Sequence, residues 1–223
     1  MGISLNDLLF LSDGYCYSCK DEEYDKKYIC GDCLSLFEYI DTVKFIGEYK
    51  CYSPYLYTGR MAELIQDYKF NNGIYLYKAF GELLVNYIKN KDLKFDLIIS
   101  VPLSKQKFSK RGFNQSQLMA EYIGKKLGIE VGNNIITKNK NTKDQHLLKV
   151  EERARNLKNS FKLNDVNKIK GRNILIIDDI ITSGHTIKNI IDVLETKGSL
   201  SIKALTIAAA KIESIYKVNF KNI

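Results

Sequence analysis

From about residue 55 onward, apolar positions switch between two spacings along the chain. In GRMAELIQDYKF (59–70) and LYKAFGELLVNYIKN (76–90) they recur three and four residues apart, the stripe of an amphipathic helix. DLIISVPL (96–103) is instead an unbroken β-branched run closed by Pro102, which predicts a buried strand. NQSQLMAEYIGKKLG (114–128) predicts a helix stopped by Gly128. NILIID (173–178) is the next strand, TIKNIIDVLETKG (186–198) a helix ending at Gly198, and SIKALTIAAA (201–210) a final strand. Strand, helix and strand at these lengths call for a crossover connection and a parallel sheet. The expected class is therefore α/β with a central, mainly parallel sheet. Ligands in such folds sit beyond the carboxyl ends of the strands.

The stretch ILIIDDIITSGHT (174–186) lies at that edge and places Asp178 and Asp179 at the end of the most hydrophobic segment. One reading is structural: a buried strand ends in an acidic turn, and Thr182 or Ser183 caps the next helix. Two isoleucines between the acids and the loop speak against a simple turn. A nucleotidase strand would need a G-x-x-x-x-G-K-[ST] partner, and the chain contains none. A third reading is a loop for a sugar phosphate. The small residues Thr182, Ser183, Gly184, His185 and Thr186 would let backbone N–H groups wrap a 5′-phosphate at a helix N-terminus. The two carboxylates would then face ribose hydroxyls and help hold Mg2+, directly or through water.

The region before residue 55 has different chemistry. Cys16, Cys19, Cys30 and Cys33 form two C-x2-C pairs separated by ten residues. Two thiolate pairs on tight turns suit a tetrahedral zinc ion, and four thiolates leave no open position for water, so the expected role is structural. The alternative is a pair of disulfides. The unpaired Cys51 and an N-terminus (MGISLNDLLFLSDG) without a basic region both favour a reducing compartment instead. A cytoplasmic protein without membrane insertion is expected, since no run approaches the ~18 apolar residues of a membrane span.

Charge sharpens the division. Residues 1–60 hold ten acidic and six basic side chains, and residues 61–223 hold sixteen and twenty-eight, so the net +8 splits into −4 and +12. The basic excess suits phosphorylated ligands or nucleic acid, although a lysine-rich composition gives the same sum. Lys105, Lys107, Lys110 and Arg111 fall within residues 104–111 with no acid among them. They could neutralise a departing diphosphate, or contact nucleic-acid phosphates with Phe108 or Phe113 stacking on a base. They could equally form a solvated loop. TKDQHLLKVEERARN (142–156) is similarly open between a hood over substrate and a polar linker carrying Arg153 and Arg155.

Several segments together resemble the ComF family, competence-associated proteins with a zinc finger ahead of a type I phosphoribosyltransferase domain. They are the four-cysteine finger, YLYTGRMAELIQDYKF, SVPLSKQKFSKRGFNQSQLMAEYI, TKDQHLLKVEERARNLKNSF and the 174–186 stretch, which looks like the phosphoribosyltransferase signature. The resemblance implies a zinc-finger region over residues 1–52 and a phosphoribosyltransferase-like domain over 53–223. It also implies phosphoribosyl diphosphate with Mg2+ as ligand, and Ser100, Val101, Pro102 and Leu103 as a turn receiving diphosphate, followed by Lys105. Arg111 to Gln115 match the family's RGFNQ element. Asp178 and Asp179 would anchor the ribose, residues 182–186 the 5′-phosphate, and Lys105 and Arg111 the diphosphate. The implied activity is pentosyl transfer to an unidentified acceptor, in the context of DNA uptake in natural transformation. Single-stranded DNA and a competence helicase or other uptake proteins are the implied partners. A competing expectation is a non-catalytic single-stranded-DNA-binding protein that keeps the fold as scaffold or sensor.

Overall fold

The computed structural model describes residues 14–21, 28–138 and 160–210. The expectations placed on the N-terminal residues 1–13 and on the 142–156 segment, with Arg153 and Arg155, fall outside the described residues. A short helix α1 (Gly31–Ser35) follows the second cysteine pair and leads into strands β1 (Tyr39–Ile46) and β2 (Tyr49–Leu56). Helices α2 (Gly59–Phe70) and α3 (Leu76–Asn90) come next, then β3 (Leu97–Ser100). Helices α4 (Lys105–Arg111) and α5 (Gln115–Leu127) precede the short strands β4 (Glu130–Val131), β5 (Ile136–Lys138) and β6 (Phe161–Leu163). The chain then forms β7 (Asn173–Ile181), α6 (His185–Glu195) and β8 (Ser201–Ala209).

One sheet runs in the order β1-β2-β8-β7-β3-β4, and β5 pairs with β6 apart from it. All neighbours in the large sheet are parallel except the β1–β2 hairpin. Both faces are covered, which explains the unbroken apolar runs. Leu175 and Ile177 of β7 enter one core with α2, α3 and α5, while Ile174 and Ile176 enter a second core with α6. Period-two alternation thus delivers each of residues 174–177 to one core or the other.

The order also creates a crevice. After β3 the chain moves outward to β4, and after β7 it moves the other way to β8. Helix α5 buries Met119, Ala120 and Ile123 on one face, and α6 buries Ile187, Ile190, Ile191 and Leu194 on the other. Connections leaving adjacent strands toward opposite faces open a gap at the strand ends, the topological switch point of such sheets.

The hairpin of β1 and β2 was not foreseen in the sequence, and the expected division at residue 52/53 falls inside β2. The cysteine region packs onto the same body. Cys16, Tyr17, Ile29, Cys33 and Phe37 share a core with Tyr68, Phe80 and Leu175. Arg60 at the start of α2 donates from Nε to Ser18 Oγ (2.9 Å) and from its terminal nitrogen to the Ser18 carbonyl (2.6 Å). Among the described residues no helix is long and apolar enough to cross a membrane.

Candidate functional site

The two acids lie within β7, not after it. β3 pairs with β7 as far as Ser100 opposite Ile177, whereas β8 stays paired through Asp178, Ile180 and Ile181. Asp178 and Asp179 therefore stand where β3 has stopped, at the mouth of the switch-point crevice. Their own carboxylates accept nearby backbone donors: Asp178 Oδ1 from the Asp179 N–H (2.9 Å) and Asp179 Oδ1 from the Ile180 N–H (2.7 Å).

Two further elements reach the pair. Ser116, in the first turn of α5, donates its hydroxyl to Asp178 Oδ1 at 2.8 Å. Lys69, in the last turn of α2, places Nζ 3.0 Å from Asp179 Oδ2, and the two side chains are only 15% and 14% exposed. One ammonium thus serves two adjacent carboxylates in a dry setting. Burial first, and the Asp179 charge second, push the Asp178 carboxyl up to about 7, against the opposing pull of Ser116, the Asp179 N–H and Lys69. Such a pair is short of positive charge and suits hydroxyl donors or a hydrated cation.

The following loop supplies the complementary half. Gly184 is buried at φ +84°, a left-handed conformation natural to glycine, and it caps α6. The helix cap is therefore Gly184 and neither Thr182 nor Ser183. Thr182, Ser183, His185 and Thr186 are exposed around it. The first-turn N–H groups of an α-helix have no intrahelical acceptor, so they point into this loop together with the positive end of the helix dipole. Lys44 of β1 donates to the Thr182 carbonyl at 2.7 Å, tying the loop to the hairpin. Burial lowers the Lys44 pKa.

On the β3 side, Val101 is buried and its N–H continues the pairing to the Ile177 carbonyl (3.0 Å). Asn114 holds the turn from behind. Its Oδ1 caps α5 by accepting from the Ser116 and Gln117 N–H groups, and its Nδ2 donates to the Val101 carbonyl at 3.0 Å. The basic run forms the helix α4, capped by Ser104 and ended by Gly112 at φ +78°. That helix separates the two cations paired in the sequence. Lys105 lines a cavity of about 480 Å³ with Ser100, Pro102 and Leu103, whereas Arg111 lines a different cavity with Lys69 and Phe70.

The four cysteines come together on the far side of α2 and α3. The sulfurs of Cys16, Cys19, Cys30 and Cys33 all lie within 4.8 Å of one another. A tetrahedral site with Zn–S of about 2.3 Å has edges of about 3.8 Å, so the cluster is slightly wider than a metal would draw it. Backbone N–H groups of Ser18 and Cys30 point at the Cys16 sulfur (3.4 and 3.3 Å), and that of Cys33 at the Cys30 sulfur (3.4 Å). Burial pushes the Cys16 thiol up, but the N–H groups of Cys30, Cys19 and Ser18 outweigh it and bring the group down to about 7. The cluster is compatible with a zinc site.

Residues 75–222 match the phosphoribosyl transferase domain family. Competence protein F of Haemophilus influenzae is 31% identical over 204 residues, covering 88% of this chain and 85% of that protein. The chain belongs to the ComF family. Within it, the DNA utilization protein YhgH of Escherichia coli is 31% identical over 152 residues, 66% of each chain. Competence protein ComFC of Bacillus subtilis is 30% identical over 160 residues, 70% of this chain and 62% of that one.

Three contacts to the site of this ComF-family chain escaped sequence reasoning: Lys44, Lys69 and Ser116. Ser116 directly follows the RGFNQ element, which is a usable signal. Lys44 and Lys69 carry none. They are ordinary lysines on a strand and a helix, made relevant by a hairpin and a helix end that fold back 138 and 110 positions from their partners.

Proposed function

We propose that this chain binds phosphoribosyl diphosphate with Mg2+ at the crevice between β3 and β7, in a cytoplasmic protein serving DNA uptake. The observation that carries the reading is the pair Asp178–Asp179 at the point where β3 ends, running into the Gly184 loop at the start of α6. In this reading the carboxylates accept hydrogen bonds from the ribose hydroxyls. The loop N–H groups of residues 183–186 take the 5′-phosphate. The turn of Val101 and Pro102, with Lys105 beside it, receives the diphosphate. Bound Mg2+ would supply charge neutralisation on the diphosphate, with Asp178 and Asp179 the residues that would hold it.

Pentosyl transfer then follows as chemistry. Breaking the C1–oxygen bond leaves charge on the departing diphosphate, which in this reading Lys105, lining a cavity with Ser100, Pro102 and Leu103, would neutralise. Arg111 lines a different cavity, with Lys69 and Phe70, so this reading leaves the diphosphate to Lys105. Cys16, Cys19, Cys30 and Cys33 would hold a structural zinc as thiolates. The acceptor is not specified by these residues.

Calorimetric titration with phosphoribosyl diphosphate at millimolar Mg2+ is the direct test, repeated with Asp178→Asn/Asp179→Asn. Saturable binding that the double variant loses supports the reading. Equal binding by both proteins, or none by either, would remove it.

A second reading, direct association with single-stranded DNA, rests on Phe108. This ring is 50% exposed on α4 among Lys105, Lys107 and Lys110. Aromatic faces amid cations suit stacked bases along a phosphate backbone. Oligonucleotide binding should then fall steeply with salt and weaken in Phe108→Ala.

A further inference from the structure

Beside the acids, but outside the crevice, lies a cavity of about 390 Å³ between the end of α2 and the helix α4. Its walls include Lys69, Phe70, Lys107, Lys110, Arg111 and Phe113, and among the described residues no acidic side chain lines it. Lys69 is paired with Asp179, but Lys107, Lys110 and Arg111 bring three further positive charges to the hollow, which repel one another and attract an anion. Phe70 is 63% exposed, a large apolar ring left at the surface of an otherwise well-packed helix. The Arg111 guanidinium lies 4.7 Å from the centre of that ring. On the inner side Phe113 rests against Tyr68, ring centres 5.7 Å apart. Planar groups therefore face the hollow from two sides, with ammonium groups between them.

A sugar diphosphate alone would use the cations and leave the aromatic faces unused. An inorganic anion would leave the aromatic faces in water, and a neutral aromatic would leave the cations without a partner. A ligand with a flat ring and a phosphate satisfies both, and the volume falls in the range of small-molecule sites. The geometry points to a second binding site for a nucleotide, with its base stacked on Phe70 and Arg111 and its phosphate among Lys69, Lys107 and Lys110. The site is distinct from the proposed phosphoribosyl diphosphate crevice, and Lys69, 3.0 Å from Asp179, is the one side chain that touches both. The same chemistry can come from a free mononucleotide or from the 5′-phosphorylated end of a strand.

AMP titrated into the zinc-loaded protein tests the site, with adenosine and inorganic phosphate as the two half-ligands. AMP is expected to bind at least about tenfold more tightly than either half, since stacking and charge act together. Phe70→Ala should weaken AMP by about tenfold. The ring is mostly exposed, so this change leaves the fold intact, as a thermal melt verifies. Arg111→Gln should weaken AMP comparably, and Asp178→Asn/Asp179→Asn, which frees Lys69 from its ion pair, should leave AMP binding as tight or tighter. AMP binding indifferent to both Phe70→Ala and Arg111→Gln overturns the proposal. So does binding that the Asn double variant abolishes, because the nucleotide would then occupy the crevice. The source is read by competition with tetradeoxyadenylate. Displacement of AMP only by the 5′-phosphorylated form marks a strand end, and displacement by neither form marks a free nucleotide.

Discussion

At the scale of residues, Asp178 sets the chemistry of the site through its surroundings. Its carboxyl stands at about 7 in the folded chain, against about 3.9 for an unperturbed aspartate. Between these values the folded state holds a proton that the unfolded state has released. The contribution to stability is complete below about pH 4 and is lost as pH rises through 7. Asp178→Asn keeps the shape and removes the titration. In magnesium-free buffer the variant should therefore gain stability relative to the parent by about 2 kcal/mol from pH 5 to pH 8, as urea unfolding would show. Lys69 is the counterpart. Its ion pair with Asp179 is largely desolvated, and removing one partner of such a pair strands the other. Lys69→Met should cost on the order of 2 kcal/mol, and adding Asp179→Asn should restore most of it. A double-mutant cycle by denaturation measures the coupling.

At the scale of elements, the crevice depends on where helices and strands stop. Asn114 joins two of these endings, because its side chain caps α5 and holds the Val101 carbonyl of the turn after β3. Asn114→Ala loses the cap and leaves a buried carbonyl without its donor, for an expected cost of about 2 kcal/mol in denaturant unfolding. The same change should weaken diphosphate binding more than it weakens 5′-phosphate binding, since the 182–184 loop hangs from β7 and Lys44 instead. Gly184 opens α6 after the other strand, with φ +84°. Gly184→Ala forces a side chain into a left-handed turn and should cost about 1 to 2 kcal/mol and disturb the loop. Comparing the two variants by calorimetry separates the two halves of the site.

At the scale of the molecule, the cysteine cluster is not an appendage. Cys16 and Cys33 belong to the same core as Leu175, Ile177 and Leu205 of the central sheet. Lys20 Nζ donates to the Tyr75 hydroxyl at 2.7 Å, and the Tyr17 and Tyr75 rings meet edge to face at 5.1 Å. Loss of metal would therefore be felt by α2 and α3, which form one wall of that core, and through Lys69 by the acids. Removing the proposed zinc with a chelator should lower the main thermal transition of the chain by several degrees, not merely unfold a separate segment. Calorimetry before and after zinc is restored checks this, and an unchanged main transition would contradict it.

What the sequence determined by itself is what short-range chemistry encodes. The stripes of 59–70 and 76–90 coincide with α2 and α3, the glycine at 128 does end α5, and residues 174–177 are buried on both faces. The cysteine spacing announced a cluster, and the acids with their glycine loop announced a strand end running into a helix start, because each is a local pattern with few physical uses. Helix α4 went unseen, since seven largely charged residues give no apolar stripe to read. The β1–β2 hairpin, the separation of Lys105 from Arg111, and the arrival of Lys44, Lys69 and Ser116 at the site were decided only by tertiary structure. Strand order and the point where β3 stops are set by packing between segments far apart in the chain. A polar side chain that gains its role from such packing leaves no periodic trace in its own neighbourhood.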